Sequence, residues 1–243
     1  PLRLVGSEMC IRDSSYADLV DLVPLGLDAA RPGQVRTPGG WETPASHVEP
    51  IAVKGAPAER FVVRETSFGP IRGAGGRQYA VHWIAHDPAA INLNHLKLET
   101  AGSVEEALAI AAIDGVPAQN FVAGDAAGNI GWTIAGLLPQ RTTPALAASF
   151  PLEQGVPTWN ALLAPERYPR VLNPLDGQIT TANSRQLMGA GAELIGDGGF
   201  DIGARNRQLA EGLRALGPKL DVRQAWGAAL DDRALFILSL IHI

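Results

Sequence analysis

The chain has 243 residues, of which 46% are hydrophobic and 19% charged, with a formal net charge of −5. That composition excludes intrinsic disorder and fits one large globular domain or two small ones. Lysine is scarce and no basic run interleaves with aromatics, which gives nucleic-acid binding no support; no apolar run of about 18 residues offers a transmembrane helix.

The first fourteen residues, PLRLVGSEMCIRDS, and the last six, LSLIHI, read as adapter-derived tails (1–14 and 238–243), the alternative being native terminal strands. The single cysteine, Cys10, lies in the first of them, so neither disulfides nor thiolate chemistry is supported. Residues 15–60 are rich in Pro, Gly and Asp. Ile51–Val53 and Phe61–Thr66 read as strands, and Phe68-Gly69-Pro70-Ile71 as a turn into another. Tyr79 to Ala85 alternates as a strand. Ser103 and Glu106 form a capping box before Ala107, Leu108, Ile110, Ala111 and Ile113, and Gly115 marks the stop.

Pro117 to Arg141, PAQNFVAGDAAGNIGWTIAGLLPQR, has the form of a β-hairpin. Asp125-Ala126-Ala127-Gly128 is its turn; Ile130, Trp132 and Ile134 line one face of the return strand, with Asn129, Gly131 and Thr133 on the other. Residues 138–170 carry six prolines and read as a long loop. Gln178–Ala182 reads as a short strand ending at Asn183. Asp201 is placed to cap a helix from about Ile202 to Leu216, and Asp221 with Gln224 a second helix over Trp226 and Leu230. Strands followed by helices imply a mixed α/β or α+β fold.

Generic catalytic motifs are missing: there is no G-x-S-x-G, Walker A or H-E-x-x-H sequence. The glycine-rich segments Gly73–Gly76 and Gly196–Gly199 lack dinucleotide-binding spacing and read as turns. His82 and His86 would stand ~13 Å apart along a strand. One zinc holds each of its ligands at ~2.0–2.1 Å. A metal site on His82, His86 and His95 is therefore disfavoured.

The hairpin wording closely resembles a signature of the penicillin acylase family. Two later segments resemble the same family in the same order: Tyr168-Pro169-Arg170-Val171 through Asn173-Pro174 with Asp176-Gly177, and Thr181-Ala182-Asn183-Ser184-Arg185. The resemblance implies an α+β fold, part of the four-layer αββα sandwich of N-terminal nucleophile hydrolases, with a β-rich subdomain over 15–75. The hydrolase core would occupy 76–237, with a helical segment near 87–115. The chain would be a piece of the β chain.

The same resemblance implies an amidohydrolase that cleaves a side-chain amide of an N-acyl compound, such as a β-lactam or an acyl-homoserine lactone. A non-catalytic binding or structural domain on the same scaffold is the rival. The nucleophile would be an N-terminal serine whose own amine is the base. Ser14 and Ser15 are internal, so that serine is expected to be absent from this chain and the chain alone to be inactive. Asn183 matches the oxyanion-hole asparagine. Arg205 matches an arginine that orients the site, with Arg207 as competitor. Phe68 departs from the family's His-Gly-Pro segment. No cofactor is required for the chemistry. Structural calcium is implied, but its ligands are not assignable, and Asp87, Asp125, Asp176 and Glu193 serve equally as turn or surface carboxylates. The implied partners are an α chain from the same precursor and a small N-acyl substrate, in the periplasm or outside the cell.

Overall fold

The computed structural model describes residues 17–142, 159–233 and 235. Both segments read as tails, with Cys10, Ser14 and Ser15, lie outside the described residues, as does the middle of the proline-rich stretch. The chain opens with β1 (Val20–Pro24) and a small hairpin of β2 (Val35–Thr37) and β3 (Gly40–Glu42). A meander follows: β4 (Ala45–Ile51), β5 (Glu59–Thr66), β6 (Gly69–Ala74) and β7 (Arg77–Trp83). β1 then closes on the far side of β7, so the antiparallel sheet runs β1-β7-β6-β5-β4. Its register pairs Val20 with Trp83 and Pro24 with Tyr79.

The strand expected at Ile51–Val53 lies instead over Ala45–Ile51. Ala52 and Val53 leave the ladder for the turn before β5. Because β4 is an edge strand, Pro50 can sit in it without taking a donor from an inner ladder. Tyr79 to Ala85 is extended only to Trp83; Ile84–His86 turns into a 3-10 segment.

The second layer comprises α1 (Val104–Ala111), β8 (Gln119–Gly124) and β9 (Ile130–Ala135). Ser103 caps α1 by accepting from the Glu106 amide at 3.2 Å. The Glu106 carboxylate accepts from Gly102 N at 2.8 Å, one residue outside the expected box partner. The hairpin forms as read, and both faces of β9 are buried. Trp132 and Ile134 enter the main core with Leu138, Leu163, Tyr168 and Ile195. On the other face α1 lies directly on Gly131: a Cβ there would stand 2.5 Å from Val104 Cγ1 and 2.9 Å from Leu108 Cδ1. Glycine is thus what lets this helix and strand approach.

Two of the three signature segments meet at this sheet. β12 (Val171–Leu172) pairs with β9, Val171 opposite Trp132, giving the order β12-β9-β8. Asn173 accepts from Ile130 N and donates to Asn129 Oδ1, both at 2.9 Å. Thr133 donates to Pro169 O at 2.8 Å. The buried Tyr168 hydroxyl accepts from Leu138 N and donates to Gly136 O, both at 3.0 Å; burial pushes its pKa up to about 12. Within the stretch read as loop, β10 (Pro139–Arg141) and β11 (Trp159–Leu162) form a two-stranded ribbon. Its partners are distant in sequence, which local patterning cannot register.

Three helices complete the described chain: α2 (Ala190–Ile195), α3 (Ala204–Ala215) and α4 (Val222–Ala229). The capping box of Asp221 and Gln224 on α4 forms as read. The strand expected at Gln178–Ala182 does not form. That segment joins no ladder among the described residues, and Ile179 packs on the main core. β-branched residues favour a strand only where a neighbour supplies the pairing. α3 starts two residues later than expected. Asp201 accepts from Gly203 N at 2.9 Å, and Gly203 at φ 86° turns the chain into the helix, leaving Ile202 exposed.

Candidate functional site

Asn183 and Arg205, far apart in sequence, touch. Asn183 is buried, 4% exposed, with a left-handed backbone at φ 61° that few residues other than Gly, Asn and Asp accept. Arg205 Nη2 donates to Asn183 Oδ1 at 2.8 Å and to Ala182 O at 3.2 Å. A guanidinium only donates, so the contact commits Oδ1 to the arginine and makes Nδ2 the donor end of the amide. Arg207 lies elsewhere: it is mostly exposed and pairs with Glu211 at 2.7 Å, which raises its pKa through that hydrogen bond.

Asp201 closes the group. Its amide donates to Asn183 O at 2.9 Å, Ser184 and Asp201 form a parallel bridge, and its carboxylate lies 3.6 Å from Arg205 Nη2. Read from sequence only as a helix cap, Asp201 carried no signal of this second role. The departure from the family pattern at Phe68 lies in a different place. Phe68 packs against Val23 and Ala80 and, with His82, Trp83, His86 and Trp159, lines a cleft of about 420 Å³ that touches neither Asn183 nor Arg205.

A second polar cluster is deeply buried. Arg141, the last residue of the hairpin signature, reaches back to β1. Its Nη1 lies 3.2 Å from Asp21 Oδ1, its Nη2 2.8 Å from Asp18 Oδ1, and the same nitrogen donates to Asp18 O at 2.6 Å. Burial pushes Asp18 up to about 6 despite the opposing pull of Arg141. No sequence pattern joins these residues, since they are some 120 positions apart.

Of the three histidines, His82 and His86 share the cleft beside Phe68, and His95 has a different partner. His82 stacks on Trp159 at 4.1 Å between ring centroids, and burial lowers its pKa. His86 packs edge-on to Trp83, and His95 lies 3.5 Å from Asp114. The four carboxylates considered for calcium are scattered. Asp87 caps Ala89 N, Asp125 accepts from Ala127 and Asn129 in its turn, Asp176 faces Arg214 at 3.8 Å, and Glu193 is exposed. Among the described residues, no three His, Cys, Asp or Glu side chains gather to hold a metal ion.

Among solved structures, a thermostable penicillin G acylase from Alcaligenes faecalis matches with a TM-score of 0.66 and 20% identity, over 88% of this chain and 41% of that one. The fold is accordingly the α+β architecture of N-terminal nucleophile hydrolases. A sequence model of the family described as Penicillin amidase matches residues 14–242, and the chain belongs to that family. It is 29% identical over 235 residues to the penicillin G acylase of Escherichia coli, which covers 88% of this chain and 25% of that protein. It is also 29% identical over 162 residues to the penicillin acylase 2 proenzyme of Pseudomonas sp. (strain SE83), covering 64% of this chain and 20% of that protein. The chain thus spans a quarter or less of the length of these two relatives. No helix among the described residues is long and apolar enough to cross a membrane.

Proposed function

We propose that these residues form part of an amidohydrolase that cleaves the side-chain amide of an N-acyl compound through an acyl-enzyme. The reacting nucleophile is an N-terminal serine outside the present sequence, activated by its own amine. The partner that completes the enzyme is an α chain cut from the same precursor, and the chemistry needs no cofactor. The observation that carries this reading is the 2.8 Å contact from Arg205 to Asn183 Oδ1. With its oxygen facing the arginine, the buried amide has Nδ2 as its donor end, the kind of group that stabilises an oxyanion. Charge develops on the substrate carbonyl oxygen only as the acyl carbon becomes tetrahedral, so a donor of this kind binds the transition state better than the ground state.

The test is Asn183→Ala in the full-length, self-processed enzyme, assayed against a chromogenic phenylacetyl anilide. Loss of one oxyanion donor lowers kcat by ~10²–10³ and leaves substrate affinity nearly unchanged. Near-normal kcat in the processed variant would make Asn183 a structural turn residue and overturn the reading.

A further inference from the structure

We propose that Asp201 is the positioning residue of this site, holding Arg205 against Asn183 and so fixing the orientation of the Asn183 amide. The inference rests on the amidohydrolase reading above. Three things bear on where that amide points: the backbone of Asn183, the start of α3, and the guanidinium on Oδ1. Asp201 grips all three. Its N–H donates to Asn183 O at 2.9 Å, Oδ1 accepts from Gly203 N at 2.9 Å, and Oδ2 faces Arg205 Nη2 at 3.6 Å.

Arg205 needs such a restraint. It is the second residue of α3, where the exposed N–H groups of the first turn make the helix end positive and disfavour a cation. The first turn of α3 contains no acidic residue, and Gly203 offers no side-chain cap. The arginine side chain is 43% exposed and long enough to take many rotamers. A carboxylate four residues earlier offsets the charge at the helix start and draws the guanidinium back over Asn183. Without it, solvent and the helix field weaken the arginine's hold on Asn183 Oδ1.

The experiment uses the full-length enzyme with phenylacetyl p-nitroanilide as probe. Asp201→Asn keeps an acceptor for Gly203 N and removes the charge facing Arg205; Asp201→Ala removes both. We expect Asp201→Asn to lower kcat about tenfold with KM unchanged within about twofold, and to have no further effect in an Arg205→Ala background, because its effect passes through that arginine. Asp201→Glu should recover part of the rate. Should Asp201→Ala fail to mature, the near-isosteric Asn variant carries the test. Wild-type kcat in Asp201→Asn, or a loss that multiplies with that of Arg205→Ala, overturns the role of Asp201 while slow Asn183→Ala and Arg205→Ala enzymes leave the parent reading intact. Wild-type rates in those two variants would instead overturn the parent reading.

Discussion

Replacing Arg141 by Met removes the only charge of the Arg141–Asp18–Asp21 cluster that is positive and keeps most of its apolar stem. The three side chains are 3%, 4% and 2% exposed, so water cannot take over the role of the guanidinium. Breaking a buried pair from one side costs ~3–5 kcal/mol. The cost should depend on pH. An acid whose pKa is raised in the fold holds its proton more tightly folded than unfolded. Its contribution to stability is therefore complete below its unfolded pKa and is lost as pH climbs through its folded pKa. For Asp18 that window runs from the ordinary value of 3.8 to about 6, which corresponds to roughly 3 kcal/mol. Losing Arg141 removes an interaction that holds this pKa down, so the Met variant should suffer most where Asp18 must be ionised. We expect a loss of ~3–5 kcal/mol near pH 7.5 and clearly less near pH 5. Urea unfolding followed through the fluorescence of buried Trp132 and Trp159, with linear extrapolation, measures both. An equal loss at the two pH values, or one below ~1 kcal/mol, the range of exposed ion pairs, would refute the idea that ionised Asp18 depends on Arg141.

Tyr168→Phe should cost ~1–3 kcal/mol, since it strands both Leu138 N and Gly136 O in the core; unchanged thermal and urea stability would mean these groups find other partners. Gly131→Ala should cost ~1–3 kcal/mol through overpacking against Val104 and Leu108, and a neutral result in the same assay would show that α1 can back away from β9. In the full-length enzyme Arg205→Ala should lower kcat far more than Arg207→Ala, whose pair with Glu211 is solvent-exposed and screened. Equal losses would place the orienting arginine elsewhere.

The parts of this molecule legible in its sequence are those whose partners are near in the chain. The turn at Asp125–Gly128, the box at Asp221 and Gln224, and the cap at Ser103 each depend on contacts within a few residues. Elements that depend on distant partners were misread or missed. Gln178–Ala182 has the residues of a strand but joins no ladder among the described residues. Pro139–Arg141 has prolines around it yet pairs across a long excursion with Trp159–Leu162. In the site, Asn183 and Arg205 were singled out by resemblance, while their contact and the grip of Asp201 emerge only once α3 is set against the 182–184 segment. Asp18 and Asp21 look like ordinary surface acids until the fold buries them against Arg141.

The same division by sequence distance governs the order in which this structure can assemble. α1, β8 and β9 lie within about thirty consecutive residues and share one packed interface, so closing them costs little loop entropy and they are suited to form early. Arg141 reaches Asp18 across 123 positions and can dock only after both sheets exist. We expect an interaction that closes so long a loop to be absent from the folding transition state. It should leave the folding rate nearly untouched and slow unfolding instead, which makes the clamp a determinant of how long the folded chain persists.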